Sequence, residues 1–124
     1  MIKISTEHAP AAIGPYSQAV VCGQTVYTSG QIAINPATQQ VEEDTIEGQT
    51  LQVMKNIGAI LEAAGSNFQQ VIKTTCFLAD MKDFAAFNKI YETYFTEKPA
   101  RSCVAVKELP KQVLCEVEVI AYLA

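Results

Sequence analysis

Pro99-Ala100-Arg101-Ser102-Cys103-Val104-Ala105-Val106, then Leu109-Pro110-Lys111, then Val113-Leu114-Cys115-Glu116-Val117-Glu118-Val119-Ile120-Ala121 read as two apolar strands joined by a proline-bearing turn. Arg101 in the first strand and Glu116 in the second each place a charge in an otherwise apolar stretch. A charge in a buried strand is costly unless something pairs with it. Arginine is a permanently charged planar fork that matches a carboxylate, and glutamate can accept a hydrogen bond or carry a proton. The pair therefore admits two readings: a buried structural ion pair, or a pocket for a small acid with a carboxyl group beside it. The residues alone favour the ion pair by about two to one, because structural networks perturb ionisation as functional sites do. Strand alternation puts Cys103 on the face of Arg101. A nucleophilic thiolate there is the rarer reading, and core packing the commoner one.

Outward from this segment the chain punctuates itself clearly. Met1 to Ser5 suits a short strand, and His8 to Pro15, with two prolines and a glycine, an irregular segment. Ser17–Cys22 and Thr25–Gln31 read as strands, with Gly23-Gln24 as the two-residue turn of a hairpin. Asn35 to Gln40 reads as a loop. Asp44 with Glu47 resembles a capping box. Thr50, Val53, Met54, Ile57, Ile60, Leu61 and Ala64 then keep a helical period that Gly65 ends. Val71–Ala79 is β-branched and reads as a buried strand. Asp80 or Asp83 caps a second helix with Phe84, Phe87, Tyr91 and Tyr94 on one face. The order β-β-β-α-β-α-β-β predicts an α+β fold, a mixed sheet with both helices on one face. Val20, Cys22, Val104, Val106, Val117 and Val119 cannot all hide under two helices. The uncovered apolar face predicts oligomerisation.

The 124 residues fit one domain spanning 1–124, and 49% hydrophobic residues supply a core without disulfides. The net charge of −4 and the absence of a basic run argue against a dedicated nucleic-acid binder. No signal peptide and no apolar run of spanning length is found, so no membrane partner is expected. Cys22, Cys76, Cys103 and Cys115 match no zinc or redox spacing and read as reduced thiols of a cytoplasmic protein. His8 is the only histidine and has no ligand-spaced companion, so no metal site is predicted. No phosphate-binding glycine motif or G-x-S-x-G elbow occurs, and no cofactor is expected. Glu42, Glu43, Lys82 and Lys111 read as solvated surface.

Three further segments are suggestive. Gly14-Pro15 sets a rigid turn just before Tyr16, whose hydroxyl is either aimed at a site or simply satisfied. Thr28-Ser29-Gly30-Gln31 ends a strand with a glycine that marks a bulge or the close approach of a ligand. Asn88 follows Phe84 by one helical turn and suits a bond to backbone more than direct chemistry; Phe84 and Phe87 are core by spacing.

Ala11-Ala12-Ile13-Gly14-Pro15-Tyr16-Ser17-Gln18, Thr28-Ser29-Gly30-Gln31, Phe84 with Asn88, and Pro99-Ala100-Arg101-Ser102-Cys103-Val104 through Glu116-Val117-Glu118 together resemble the Rid (YjgF-type) imine/enamine deaminase family, nearly end to end. The resemblance implies a chorismate-mutase-like fold and a homotrimer whose sheets form a central barrel with sites between subunits. It also implies hydrolysis of 2-imino acids, such as 2-iminobutanoate and 2-iminopropanoate, to 2-keto acids and ammonia without a cofactor. Carried over by position, Arg101 binds the substrate carboxylate and Glu116 holds the attacking water. Tyr16, Ser29, Gly30 and Cys103 line or shape the pocket, Asn88 helps order water, and Phe84 is an apolar wall. The competing reading is a non-catalytic, ligand-binding regulatory trimer, related to translation, RNA or transcription.

Overall fold

The computed structural model describes residues 1–124. Six strands form one mixed sheet: β1 (Ile2–Ile4), β2 (Ala19–Cys22), β3 (Thr25–Thr28), β6 (Val71–Leu78), β7 (Ala100–Ala105) and β8 (Cys115–Tyr122), in the order β1-β2-β3-β8-β6-β7. Every pair is antiparallel except β6 with β7. That parallel pair needs a crossover, which α2 (Phe84–Tyr94) supplies. Helix α1 (Ile46–Ala64) joins the early strands to β6. Both helices pack on one face of the sheet, as the element order predicts.

The shared face is apolar by alternation. Cys115, Val117, Val119 and Ala121 of β8 and Thr74, Cys76 and Leu78 of β6 are buried, against Val53, Met54, Ile57, Ile60 and Leu61 of α1. Burying one such side chain stabilises the fold by about 1.5–3 kcal/mol. Gly65 ends α1 at φ 86°, and Gly23 takes φ 62° in the β2–β3 hairpin turn. Both are left-handed conformations that favour glycine.

Three expectations are corrected. Thr45, not Asp44, caps α1, its hydroxyl accepting from the Gly48 amide at 3.0 Å. Asp80 caps the single helical turn Met81–Asp83, and Asp83 makes no capping bond to α2. The supposed loop over 35–40 is the bend of a small hairpin between β4 (Ile34–Asn35) and β5 (Gln40–Val41). As expected, the six apolar strand residues do not all hide under the helices: Val117 and Val119 are buried, while Cys22 and Val104 are exposed, and because Val117 and Val119 alternate with Glu116 and Glu118, the glutamates take the open face. The open face still carries Tyr27, Ile72, Val104 and Tyr122, all 45–48% exposed.

Candidate active site

The candidate residues form two clusters on opposite faces of the sheet. The first surrounds Arg101. In the parallel β6–β7 pair, Arg101 registers with Thr74 and Cys103 with Cys76. Thr74 and Cys76 are buried, so Arg101 and Cys103 lie on the helix-covered face at the edge strand. Helix α2 meets them with Phe84, Asn88 and Tyr91, spaced i, i+4, i+7 along one stripe. Arg101 Nη1 donates to Asn88 Oδ1 at 2.6 Å. Its Cζ lies 4.7 Å from the Tyr91 ring centroid and 5.4 Å from that of Phe84. The Tyr91 hydroxyl is 2.7 Å from Thr74 Oγ1.

Within one chain this geometry excludes an Arg101–Glu116 ion pair. The bonded partner of Arg101 is a neutral amide, and Glu116 projects from the other side of the sheet. On β6, Thr74 faces Arg101 and Phe77 faces Glu116. Positions 74 and 77 are an odd number of residues apart and therefore point to opposite faces. A half-buried guanidinium with neutral neighbours keeps its charge and most of its five N–H donors available to an anion. Asn88, expected to shape the pocket and help order water, bonds Arg101 through its side chain; Phe84 is as much a cation platform as a wall. Burial pushes the Cys103 thiol up, away from the thiolate a nucleophile needs, and nearby Arg101 and Cys76 only partly oppose this. Behind it, burial pushes Cys76 to about 12.

The second cluster surrounds Glu116. Just before β4, Gln31 bridges to Val117, its amide donating to the Val117 carbonyl at 2.8 Å and its carbonyl accepting at 3.1 Å. That bridge sets Gly30 directly against the Glu116 side chain. A Cβ at Gly30 would collide with Glu116 Oε2 and lie 2.9 Å from Cδ. Gly30 is thus needed for room. Ser29 is held in place, its Oγ donating to the Ser17 carbonyl at 2.5 Å and its amide to the Gln18 carbonyl at 2.9 Å. Tyr16, Ser29, Gly30 and Glu116 line one cleft of about 750 Å³, with Ile13 and Lys111. Burial raises the Glu116 carboxyl above its ordinary range, and the like charge of Glu118 adds to the effect.

Two features of this cleft escaped the sequence reading. Lys111 is exposed but lines the cleft rather than belonging to general surface. It and Gln112 sit at φ 55° and 56°, a costly left-handed pair in the turn that leads into β8. Gln18 is buried and staples the irregular N-terminal segment: Nε2 donates to the carbonyls of Thr6, Ala9 and Pro10, and Oε1 accepts from the Thr6 amide. A glutamine opening an apolar strand was the available signal. No three His, Cys, Asp or Glu side chains converge as a metal site would require, and no helix is long and apolar enough to cross a membrane.

An α+β chain with an oriented arginine on one sheet face and a carboxyl cleft on the other matches known proteins closely. The profile of the Endoribonuclease L-PSP family matches residues 6–123. A Lactococcus lactis protein provisionally named regulator AldR is 56% identical over 119 residues, covering 95% of this chain and 94% of that one. A Salmonella typhimurium 2-iminobutanoate/2-iminopropanoate deaminase is 52% identical over 122 residues, with 95% and 94% coverage. The crystal structure of YyfA from Yersinia pestis, described as a protein of unknown function of the conserved Rid family, superposes with a TM-score of 0.95. It is 48% identical and 98% of each chain is covered. The chain belongs to the Endoribonuclease L-PSP family, the Rid (YjgF-type) proteins.

Proposed function

We propose that this protein hydrolyses 2-imino acids, 2-iminobutanoate and 2-iminopropanoate among them, to 2-keto acids and ammonia in a site shared between subunits of a homotrimer. The observation that carries the reading is the division of the machinery between two faces. Arg101 has free donors but no carboxyl beside it, and the Glu116 cleft has a carboxyl but no arginine. One chain cannot bring them together; a second copy can, by setting the β7 edge of one subunit against the Glu116 cleft of the next. Such packing would cover Tyr27, Ile72, Val104 and Tyr122, a patch of the kind that marks interfaces. A closed ring of three copies would repeat the site three times. The deaminase name of the Salmonella relative supports the chemistry.

The substrate carboxylate docks on the Arg101 fork, which Asn88 orients. The imine carbon, electrophilic once its nitrogen is protonated, then faces the water held at Glu116 of the neighbouring subunit. Glu116 takes a proton as the water oxygen bonds to that carbon, and the C=N electron pair moves to nitrogen. Glu116 returns that proton to the amine nitrogen and takes the proton of the carbinolamine hydroxyl; the C–N bond breaks as the C=O forms, and ammonia leaves and carries the last proton away as ammonium. A carboxyl raised toward neutrality suits a group that must both accept and return a proton, worth about 10²–10⁴ in rate. Ser29, Gly30, Tyr16 and Phe84 shape the pocket, and Cys103 lines it with its thiol protonated. No cofactor takes part, and the protein acts in the cytoplasm on small substrates rather than on nucleic acid.

The test is release of ammonia and keto acid from 2-iminobutanoate generated freshly by a threonine dehydratase, against the spontaneous background. Acceleration by wild type and not by Arg101→Ala is expected. No acceleration by wild-type protein would refute the deaminase reading and favour a non-catalytic regulatory role, the AldR relative being named a regulator.

A further inference from the structure

Tyr91 has no part in the chemistry just proposed, yet it is the closest aromatic ring to the Arg101 guanidinium, at 4.7 Å from Cζ against 5.4 Å for Phe84. Its ring is held from three sides. Phe95 packs on it with centroids 4.4 Å apart, Phe87 at 5.8 Å, and the hydroxyl lies 2.7 Å from Thr74 Oγ1. Thr74 is completely buried, and it is the strand residue in register with Arg101 itself. The contacts therefore close a loop: strand β7 carries Arg101, β6 carries Thr74 beside it, Thr74 holds Tyr91, and Tyr91 returns to the guanidinium from α2.

We infer that Tyr91, locked by Thr74, is a positioning residue that sets the plane of the Arg101 guanidinium so that its free edge is presented to a carboxylate. This rests on the carboxylate role given to Arg101 above. Asn88 fixes only Nη1, and a single hydrogen bond leaves the fork free to swing about it. A ring face fixes the plane, because the attraction of a cation to the aromatic quadrupole weakens as the guanidinium slides off the ring. The phenol stays neutral, since burial raises its pKa. It thus orients the cation without competing as an anion for it. The i, i+4, i+7 stripe of Phe84, Asn88 and Tyr91 thereby acts as one holder, of which Tyr91 is the rigid wall.

The experiment uses assembled protein and two readouts: dissociation constants for 2-oxobutanoate, a carboxylate that undergoes no turnover, by titration calorimetry, and steady-state deamination of 2-iminobutanoate. Tyr91→Leu is expected to weaken 2-oxobutanoate binding about tenfold and to raise KM similarly, with kcat within about threefold of wild type. Tyr91→Phe keeps the ring and is expected to bind within about threefold. Thr74→Val, which like Tyr91→Phe unties the hydroxyl but keeps the ring, should show the same small loss, within about threefold. Circular dichroism and assembly state confirm that the variants are folded. Unchanged 2-oxobutanoate binding in Tyr91→Leu, or equal losses in the Phe and Leu variants, would overturn the inference. Wild-type protein that binds 2-oxobutanoate but does not turn over the imine would refute the deaminase reading alone. The binding series would still decide the role of Tyr91. Wild type that binds no carboxylate would overturn both.

Discussion

Gly30→Ala separates stability from activity in a way few substitutions here can. Gly30 does not occupy the left-handed region, so alanine fits its backbone conformation. Replacing glycine at such a position stabilises by about 0.4–1 kcal/mol, chiefly by narrowing the unfolded ensemble. The new methyl, however, would collide with Glu116 Oε2 and stand 2.9 Å from Cδ and 3.2 Å from Cγ. Carbon atoms rest at about 3.5–4.0 Å, so the carboxyl must retreat by roughly 0.6 Å or more. Glutamate is flexible enough to do so at small energetic cost, which keeps the fold intact. A displaced general base is a different matter, since about 1 Å of misplacement can cost on the order of 10² in rate. Thermal unfolding with steady-state deamination is the assay. Gly30→Ala should melt at or above the wild-type temperature while kcat falls about 10²-fold. A folded variant with kcat within about threefold of wild type would refute the argument that the Glu116 carboxyl works from its position against Gly30.

Other outcomes follow from the same geometry. Arg101→Lys should lose at least about 10²-fold in kcat/KM, because an ammonium cannot offer a planar fork while bonding Asn88; titration with imino acid checks this. The kcat/KM of wild type should fall as pH drops through the raised pKa of Glu116, and a pH–rate profile compared with Glu116→Gln would show it. The stability sign is the reverse. A carboxyl with a raised folded-state pKa stays protonated in the native state where the unfolded chain has released its proton. Stability from this group is therefore lost as pH rises from the unfolded value through the raised one. Glu116→Gln should accordingly melt higher than wild type at pH 7 while losing turnover. Gln18→Leu leaves the carbonyls of Ala9 and Pro10 and both backbone groups of Thr6 without their side-chain partner. It should cost about 2 kcal/mol in denaturant unfolding and expose residues 6–16 to proteolysis. Cys103→Ser should keep most of the activity, since the thiol is held protonated.

The parts of the fold that were legible in the sequence are those with long periods. The α1 stripe from Thr50 to Ala64, its stop at Gly65, and the strands on either side of Gly23-Gln24 all follow local rules. What escaped was short or non-local. Two-residue strands at Ile34–Asn35 and Gln40–Val41 are too brief to show alternation. The cap at Thr45 rather than Asp44 turns on which side chain reaches the Gly48 amide. The candidate residues could be named one by one, but their division between two faces of the sheet could not. Alternation places Cys103 with Arg101 and Val117 opposite Glu116 within each strand. Only the register of both strands on β6, at Thr74 and at Phe77, shows that the arginine and the glutamate face apart. Tyr91 was legible as core, and its contact with Arg101 depends on how α2 crosses the β6–β7 pair.

The central claim is that Arg101 of one subunit works with Glu116 of another. Subunit mixing tests it directly. Arg101→Ala and Glu116→Gln proteins, each inactive alone, are unfolded together in equal amounts, refolded, and assayed for deamination. In randomly mixed rings each site draws its arginine and its glutamate independently, so roughly a quarter of the sites should be intact and about that fraction of wild-type activity should return. Activity that stays at background in properly assembled mixed rings would place both residues' work within one chain and contradict the account.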